Sequence, residues 1–414
     1  PTLSFLKVRG SYGSVGNQNT YLSNIYRVMS SLGSNWIIDG KEQVTVGTPG
    51  AIPASLTWET VTTLDFGLDT KLFDNKMGVT FDWYQRTVSD MHSPGITLPS
   101  SFGTSSPTRN YGELQTTGWE LSVDFRHQFS NGLNISAMAT LSDFTEEITK
   151  YENQTKGINS YYQGKKLGEI WGYETDRFFT EDDFNADGSY AQGVPSQELF
   201  ETNGWFFYGP GDIKYKDING DGVIDYGTRT VGDSGDMKVI GNSTPRYQYG
   251  FQLNADWKGF DISMFFQGIG KRDFWANGPV FIPGYRYAEG WYDHQLDYWT
   301  PENPTAYYPR PNDQGQSNNA MNFLPQSKYL LDMSYLRMKN ISLGYTIPQA
   351  ISSKFHIDRF RVYFSGENLF EFTGIQVPVD PEVDYTTAGL NDTSTFGRVY
   401  PFRRSLSFGL QLTF

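Results

Sequence analysis

The chain has 414 residues, no cysteine and a formal net charge of −13. The absence of cysteine excludes a disulfide framework and a cysteine-based metal site, and the acidic balance argues against nucleic acid, whose phosphates need a basic face. The mean hydropathy of −0.50 is polar, and no run approaches the roughly 20 apolar residues that a spanning helix needs. Aromatic residues make up 16% of the chain, as is typical of strands and of the aromatic girdles of membrane barrels.

Alternation of apolar and polar residues, which indicates a half-buried strand, recurs along the chain. In the run from Trp119 to Arg126 one face is wholly apolar and the other wholly polar. The predicted strands lie near residues 4–12, 60–72, 76–86, 119–126, 132–142, 247–257, 258–267, 335–345, 359–368 and 406–414. Each is close to the ~9–11 residues with which a tilted strand crosses a bilayer.

The connections between these strands alternate between short and long. Tight turns are predicted at residues 73–75, 130–132 and 257–259, with the 346–358 link as the longest of the short ones. Long loops are expected at about 13–59, 87–116, 143–245, 268–334 and 369–403. Short periplasmic turns and long extracellular loops are typical of outer-membrane barrels. A soluble β-sandwich shares the strand pattern but has no reason to place every long loop at one end.

The prediction is therefore an all-β fold, a transmembrane antiparallel β-barrel. About ten strands enclose only a narrow lumen, because barrel diameter grows with strand number. No signal peptide opens the chain, which begins Pro1-Thr2-Leu3. We expect the first strands of the barrel, and any plug or gate, to lie outside residues 1–414.

One predicted loop contains the spacing of an EF-hand calcium loop, with oxygen-bearing side chains at alternate positions followed by glycine. Its candidate ligands are Asp217, Asn219, Asp221, the carbonyl of Val223, and Asp225. Thr228 occupies the position of the usual bidentate Glu, and no flanking helices are evident. The alternative is an Asx-rich turn that hydrogen-bonds to itself. A second copy, residues 183–188, stops at its glycine and is the weaker candidate.

Aromatic residues of the long loops are the candidate substrate contacts, because flat rings stack on sugar rings or on peptide side chains. They are Trp171, Tyr173, Trp205, Phe206, Trp275 and Trp291. For each residue the alternative is packing inside the loops or contact with a partner protein. Catalysis is not expected: residues 232–236 resemble a protease nucleophile loop only in part, and the four histidines are scattered.

Several blocks of sequence resemble the SusC/RagA family of TonB-dependent outer-membrane transporters. They are residues 211–217 leading into 219–225, then 299–304, 335–345, 361–369 and 380–383, with Phe414 at the end. The blocks occur in the family's order and cover most of the chain from about residue 55 onward.

The resemblance implies the C-terminal portion of a barrel of roughly 22 strands, whose N-terminal plug and TonB box this sequence does not contain. It further implies import of oligosaccharides or peptides across the outer membrane of a Gram-negative bacterium. The partners it implies are a SusD-like surface lipoprotein over the barrel mouth, TonB acting through the plug, and outer-membrane lipid, with a dimer of SusC–SusD pairs as the assembly. Two alternatives stay open: a surface-binding or adhesion protein anchored by its barrel, and a soluble all-β enzyme acting on polysaccharide.

Overall fold

A computed structural model describes residues 1–17, 30–47, 56–93, 95, 99, 101, 106–201, 206–285, 290–311, 320–383 and 399–414. Within these residues the strands are, in chain order, β1 (Leu3–Asn17), β2 (Ser30–Ile38), β3 (Lys41–Gly47), β4 (Glu59–Leu72), β5 (Met77–Ser93), β6 (Arg109–Gln128), β7 (Asn134–Lys150), β8 (Glu169–Tyr173), β9 (Thr175–Phe178), β10 (Ile213–Tyr215), β11 (Met237–Asn242), β12 (Arg246–Trp257), β13 (Phe260–Lys271), β14 (Asp273–Trp275), β15 (Leu330–Asp332), β16 (Tyr335–Thr346), β17 (Arg359–Glu367), β18 (Glu371–Thr373) and β19 (Ser405–Thr413).

Helical structure in the described residues is short. There is an α-helix, α1 (Gln349–Ser352), and 3-10 turns lie at Glu181–Asp183, Glu198–Phe200, Asp293–Gln295, Ala320–Phe323 and Ser353–Phe355. Among these residues, no helix has the length and apolar character needed to cross a bilayer.

The long strands form one antiparallel sheet in the order β1-β4-β5-β6-β7-β12-β13-β16-β17-β19, with β18 added beside β16. Neighbours in the sheet follow each other in the chain, apart from the short strands of the loops, so the sheet is an up-and-down meander. The all-β antiparallel prediction is therefore confirmed. A meander also places every long connection at one end of the sheet and every tight turn at the other.

The strands run further than the alternation predicts. β5 continues to Ser93 and β6 begins at Arg109, so the connection predicted at 87–116 spans only residues 94–108. The β6 strand has 20 residues, more than the ~9–11 needed to cross a bilayer. The extra residues keep their ladder pairing beyond the apolar segment, which is why hydropathy alone places the strand ends too early.

The tight turns have the backbone that short hairpins require. Lys258 and Gly259 both have positive φ, 48° and 90°, as in the two-residue turns whose twist matches that of the flanking strands. At the β4–β5 turn Phe73, Asp74 and Asn75 all have positive φ. These short connections fix the register, so that apolar side chains stay on one face.

One face of the sheet is a continuous apolar surface. Val8 lies opposite Leu68, Leu68 opposite Phe81, Phe81 opposite Leu121, and Leu121 opposite Leu141. Val8 is 74% exposed and Phe81 38% exposed. Soluble monomers rarely expose contiguous apolar patches beyond a few hundred Å², so a face that crosses this many strands indicates contact with lipid.

The opposite face of the same strands is polar. Next to the apolar row, Arg9 lies opposite Gly67, Gly67 opposite Asp82, Asp82 opposite Glu120, and Glu120 opposite Ser142. Successive residues of a strand point to opposite faces, so the polar face is the one that looks away from lipid. Glu120 therefore lies on the polar face of the Trp119–Arg126 alternation, as that pattern predicts.

The hydrophobic core lies in the connections rather than between layers of the sheet. Its buried members include Phe179, Tyr215, Ile224, Tyr308 and Met333, each 1% exposed or less. These residues come from connections 151–245 and 272–334. The long loops therefore pack on one another into a folded mass at one end of the sheet.

Candidate functional site

The packed parts of connections 151–245, 272–334 and 368–404, here called the loop body, are joined by buried polar side chains. Asn322 Oδ1 accepts a hydrogen bond from the Ile213 amide at 2.8 Å, and its Nδ2 donates to Asp212 Oδ1 at 2.9 Å. Gln326 Oε1 accepts from Thr175 Oγ1 at 2.8 Å. Because these contacts span more than 100 residues of sequence, the first two connections fold as one unit.

Asp212 is a fully buried carboxylate of this unit, with no exposed surface. Arg310 lies 2.6 Å from it, and the Gly209 amide donates to it at 2.9 Å. Burial raises the pKa of Asp212 even with the guanidinium beside it. Removing one partner of such a pair would leave an uncompensated buried charge, so the pair fixes the relative position of the two connections.

A second ionic cluster surrounds Asp183. Arg177 donates to both carboxylate oxygens at 2.6 and 2.7 Å, and Lys214 Nζ lies 3.2 Å away. Burial opposes ionisation of Asp183, but the hydrogen bonds from Arg177, Thr180 and Lys214 hold its pKa well below the usual range. This carboxylate begins the weaker calcium candidate, residues 183–188, and its oxygens are engaged by Arg177, Lys214 and Thr180.

The stronger calcium candidate adopts a self-bonded turn. Asp217 Oδ1 accepts from the Gly220 amide at 2.6 Å, Asn219 Oδ1 from the Asp221 amide at 3.0 Å, and Asp221 Oδ1 from the Val223 amide at 2.9 Å. Asp225 Oδ1 accepts in the same way from the Gly227 amide at 2.8 Å. No three acidic or histidine side chains of the described residues converge as in a metal centre. Calcium binding by Asp217, Asn219, Asp221, Val223 and Asp225 therefore stays a prediction.

Asp236 closes the base of this turn and is not evident from the spacing of the motif. Its two carboxylate oxygens accept from the amides of Ile218 at 2.7 Å and Asp225 at 2.9 Å, one at each end of the turn. Burial raises the pKa of Asp236. The residue ends the 232–236 segment, whose role in the structure is thus to hold the turn closed.

Two of the predicted substrate contacts are interior residues. Tyr173 is 4% exposed and packs 5.1 Å from the Tyr215 ring, while Phe206 is 2% exposed and meets Tyr208 edge-on at 4.8 Å. Both side chains are almost wholly enclosed by the protein, which closes them to a ligand in this structure. For these two residues the packing alternative describes the structure.

The remaining predicted aromatic contacts lie on three separate segments. Trp171 is on β8, Trp275 is on β14, and Trp291 meets Tyr298 edge-on at 5.9 Å. All three are partly exposed, and they stay candidates for substrate contact. Trp205 lies outside the described residues.

The sequence blocks that carry the family resemblance meet in space. Gly211 has φ +89°, and a Cβ at this position would collide with the indole of Trp299. The 211–217 and 299–304 blocks therefore pack so closely that only glycine fits at position 211. Arg337, 2% exposed, contacts Glu371 and lies 2.7 Å from Asp380 and 2.5 Å from Glu382. The 335–345 and 380–383 blocks are thus joined by a buried ionic cluster.

Ion pairs on the polar face of the sheet cross over glycines. Arg9 bonds Asp69 at 2.9 Å on the neighbouring strand and reaches Asp82 at 2.8 Å on the strand after it. A Cβ on the intervening Gly67 would collide with both Arg9 and Asp82. Because Gly67 has no side chain, Arg9 can pair with Asp82 across β4.

The Arg361–Asp261 pair repeats this arrangement. Arg361 Nε donates to Asp261 Oδ1 at 2.9 Å, and a Cβ on Gly344, between them, would meet both side chains. Side chains of this face are thus tied to each other across neighbouring strands. The polar face of the sheet therefore presents paired charges on its surface.

No family model matches the chain. Among curated proteins, the chain is 28% identical to TonB-dependent receptor P3 of Formosa agariphila over 435 residues, covering 100% of this chain and 40% of the receptor. It is 24% identical to TonB-dependent receptor SusC of Bacteroides thetaiotaomicron over 431 residues, covering 100% of this chain and 38% of SusC. The chain thus spans about 40% of the length of the curated relatives it matches.

Solved structures give the same fold. The RagAB peptide importer in its open-open state superposes with a TM-score of 0.68 at 21% identity, covering 100% of this chain and 40% of that chain. A second structure, of the RagAB peptide transporter, gives 0.65 at 22% identity, covering 100% of this chain and 41% of that chain. The chain is thus similar along its whole length to TonB-dependent receptors of the SusC and RagA type, which lie in the Gram-negative outer membrane, and it matches the C-terminal part of their β-barrel.

Proposed function

We propose that the protein containing this chain imports nutrients, oligosaccharides or peptides, across the outer membrane with energy supplied through TonB. The observation that carries the proposal is a match along the whole chain to TonB-dependent receptors, in a sheet with one lipid-facing and one polar face. Transport of this kind is not an enzymatic activity. The lumen-facing charges and the loop body are the parts of this chain that a substrate would pass.

The proposed partner is a SusD-like lipoprotein above the loop body, as the name RagAB suggests for the matched assembly. Leu199 and Phe207, 49% and 59% exposed, are apolar side chains of the loop body that are available to such a partner. A dimer of such pairs belongs to the same proposal.

The test is uptake by cells that carry the full-length gene and its neighbouring lipoprotein gene. Radiolabelled peptide and oligosaccharide pools are supplied to cells with and without functional TonB. We expect accumulation of one pool, which is lost when either TonB or the receptor is removed. Surface binding without accumulation, unchanged by loss of TonB, would instead support the adhesion alternative and refute import.

A further inference from the structure

The tight turn between β12 and β13 holds a positive charge at the edge of the lipid-facing surface. Trp257 shares the apolar face with Phe251, because the two lie an even number of residues apart in a stretch of ladder without a register shift. Lys258 Nζ lies 4.8 Å from the centre of the Trp257 ring. The ammonium group therefore lies on the lipid side of the turn and not over the polar face.

Neighbouring rings extend this position into a small surface. Phe260 lies directly opposite Trp257 in the ladder and directly opposite Tyr345 on its other side, so the three side chains share one face. The Phe260 and Tyr345 ring centres are 4.5 Å apart. A Cβ at Gly259 would lie 3.3 Å from the Tyr345 ring, so that ring also abuts the turn. Trp257, Lys258, Phe260 and Tyr345 are here called the turn corner.

The carboxylates nearest to Lys258 in sequence face the other way. Asp256 lies on the polar face, where its Oδ2 accepts a hydrogen bond from Asn134 at 2.7 Å. Asp261 lies on the same polar face and pairs with Arg361. In the part of the chain that the structure describes, Lys258 makes no ion pair. Its charge is thus left for a group that approaches from the lipid side.

The backbone of the turn does not explain a lysine at this position. Lys258 has φ 48° and Gly259 has φ 90°, so both central residues of the turn are left-handed. Two-residue turns of this kind favour Asn, Asp or Gly, because other side chains are strained at positive φ. The lysine is therefore better accounted for by what its ammonium group contacts than by the conformation of the turn.

We propose that the turn corner binds the phosphate of an anionic phospholipid in the periplasmic leaflet of the outer membrane. The tight turns of such barrels lie on the periplasmic side, and Trp and Tyr side chains lie at the level of the lipid headgroups. The Lys258 ammonium bonds the phosphate oxygens, and the Tyr345 hydroxyl supplies a second donor. The Phe260 ring contacts the acyl chains where they leave the headgroup.

A phospholipid is favoured over a free phosphate ion because the turn corner is continuous with the apolar face. Phe260 is 60% exposed, and Leu343, two residues before Tyr345 on β16, is 42% exposed. Apolar surface thus runs from the turn into the lipid-facing part of the sheet. A phosphate ion would meet the lysine and leave these side chains uncovered, whereas a phospholipid covers both. The inference does not depend on what the receptor imports.

The experiment is photo-crosslinking in the full-length receptor, reconstituted in nanodiscs of phosphatidylcholine with a minority of phosphatidylglycerol. Phe260 is replaced by p-benzoylphenylalanine, which on irradiation bonds to C–H groups that it contacts, and mass spectrometry gives the ratio of the two lipid adducts. The same replacement at Phe81, on the lipid face of β5, reports the ratio in the bulk bilayer. We expect phosphatidylglycerol to be enriched about fivefold at Phe260 relative to Phe81, as one lysine near an anionic surface provides.

Three variants identify the charge that is responsible. Lys258→Asn removes the ammonium group but suits the turn better than lysine, so the urea unfolding midpoint in phosphatidylcholine should equal or exceed that of the parent while the enrichment disappears. Lys258→Arg should keep the enrichment. Lys71→Gln removes an exposed lysine near the β4–β5 turn, on the polar face opposite Gly78, and should also keep it.

Equal adduct ratios at Phe260 and Phe81 in the parent would overturn the lipid site and would leave the turn corner to a periplasmic protein. Enrichment that survives Lys258→Asn would overturn it too, because the lysine would then have no part in lipid selection. Loss of the enrichment on adding inorganic phosphate would assign the ammonium group to a free phosphate ion instead of a phospholipid.

Discussion

A lipid-facing cation in the middle of β12 should destabilise the protein far more than the same cation one residue further along. Phe251 is 40% exposed on the apolar face, between Ala139 and Phe266 of the neighbouring strands. Gln252 points to the polar face. We therefore expect Phe251→Arg to disrupt the barrel and Gln252→Arg to be tolerated, because only the first places a charge against lipid.

The size of the effect follows from depth in the bilayer. Phe251 is six residues from Trp257, where β12 ends at its tight turn. At ~3.4 Å per residue and a tilt of about 40°, that places it roughly 16 Å above the turn, near the middle of the apolar band. Arginine there costs about 2–4 kcal/mol, which lowers the ratio of folded to unfolded protein by roughly 30- to 700-fold.

The assay is urea unfolding of the full-length receptor in phospholipid vesicles, followed by tryptophan fluorescence. Ala255→Arg supplies a depth control on the same face, two residues from the end of β12, where a cost nearer ~0–1 kcal/mol is expected. If Phe251→Arg and Gln252→Arg shift the unfolding midpoint equally, the apolar face does not touch lipid. If Ala255→Arg costs as much as Phe251→Arg, the depth assignment is wrong.

Three further predictions test the loops and the wall. Asp221→Ala should reduce calcium uptake by the intact receptor in isothermal titration; no uptake by the parent, or uptake that the variant leaves unchanged, would mean that the motif is only a turn. Because the Arg177 cluster depresses the pKa of Asp183, its stabilisation is present above the unfolded pKa near 4 and is lost as the pH falls below it. Asp183→Asn should cost about 3 kcal/mol of loop-body stability at pH 7 and remove that acid-side slope in thermal melts. Gly344→Val should displace Arg361 from Asp261 and lower the urea midpoint, whereas a midpoint equal to that of the parent would show that the crossing ion pair contributes nothing.

The strands were predictable because all residues of the long-strand sheet obey one physical constraint. Each residue of a membrane strand faces either lipid or water, so apolar and polar residues alternate in runs such as Trp119–Arg126. The order of the strands followed as well, since tight turns such as Lys258–Gly259 force neighbours in sequence to pair. What the rule does not give is where a strand ends, because β6 keeps pairing after its apolar alternation stops.

The loop body was not predictable in the same way. Tyr173 and Phe206 are aromatic, as ligand contacts often are, yet both are buried: Tyr173 packs on Tyr215 of a distant segment, and Phe206 meets its near neighbour Tyr208. Neither aromatic content nor local spacing distinguishes a ring that stacks on substrate from one that stacks on another ring. The useful signal in the sequence was the set of blocks that carry the family resemblance, because residues of different blocks contact each other in the fold. Gly211 packs against Trp299, and Arg337 pairs with Asp380.

The location of the core explains this difference between wall and loops. The long-strand sheet is stabilised by its hydrogen-bonded ladder and by contacts between side chains along its own surface. The apolar side chains that this chain buries most completely lie in the connections, where Phe179, Tyr215 and Met333 are fully enclosed. The two parts therefore rest on different forces: the wall depends on the bilayer, and the loop body on a core of its own. A change at Asp212 or Asp183 should thus open the loops while the sheet persists, whereas a charge at Phe251 should unfold the sheet whatever the state of the loops.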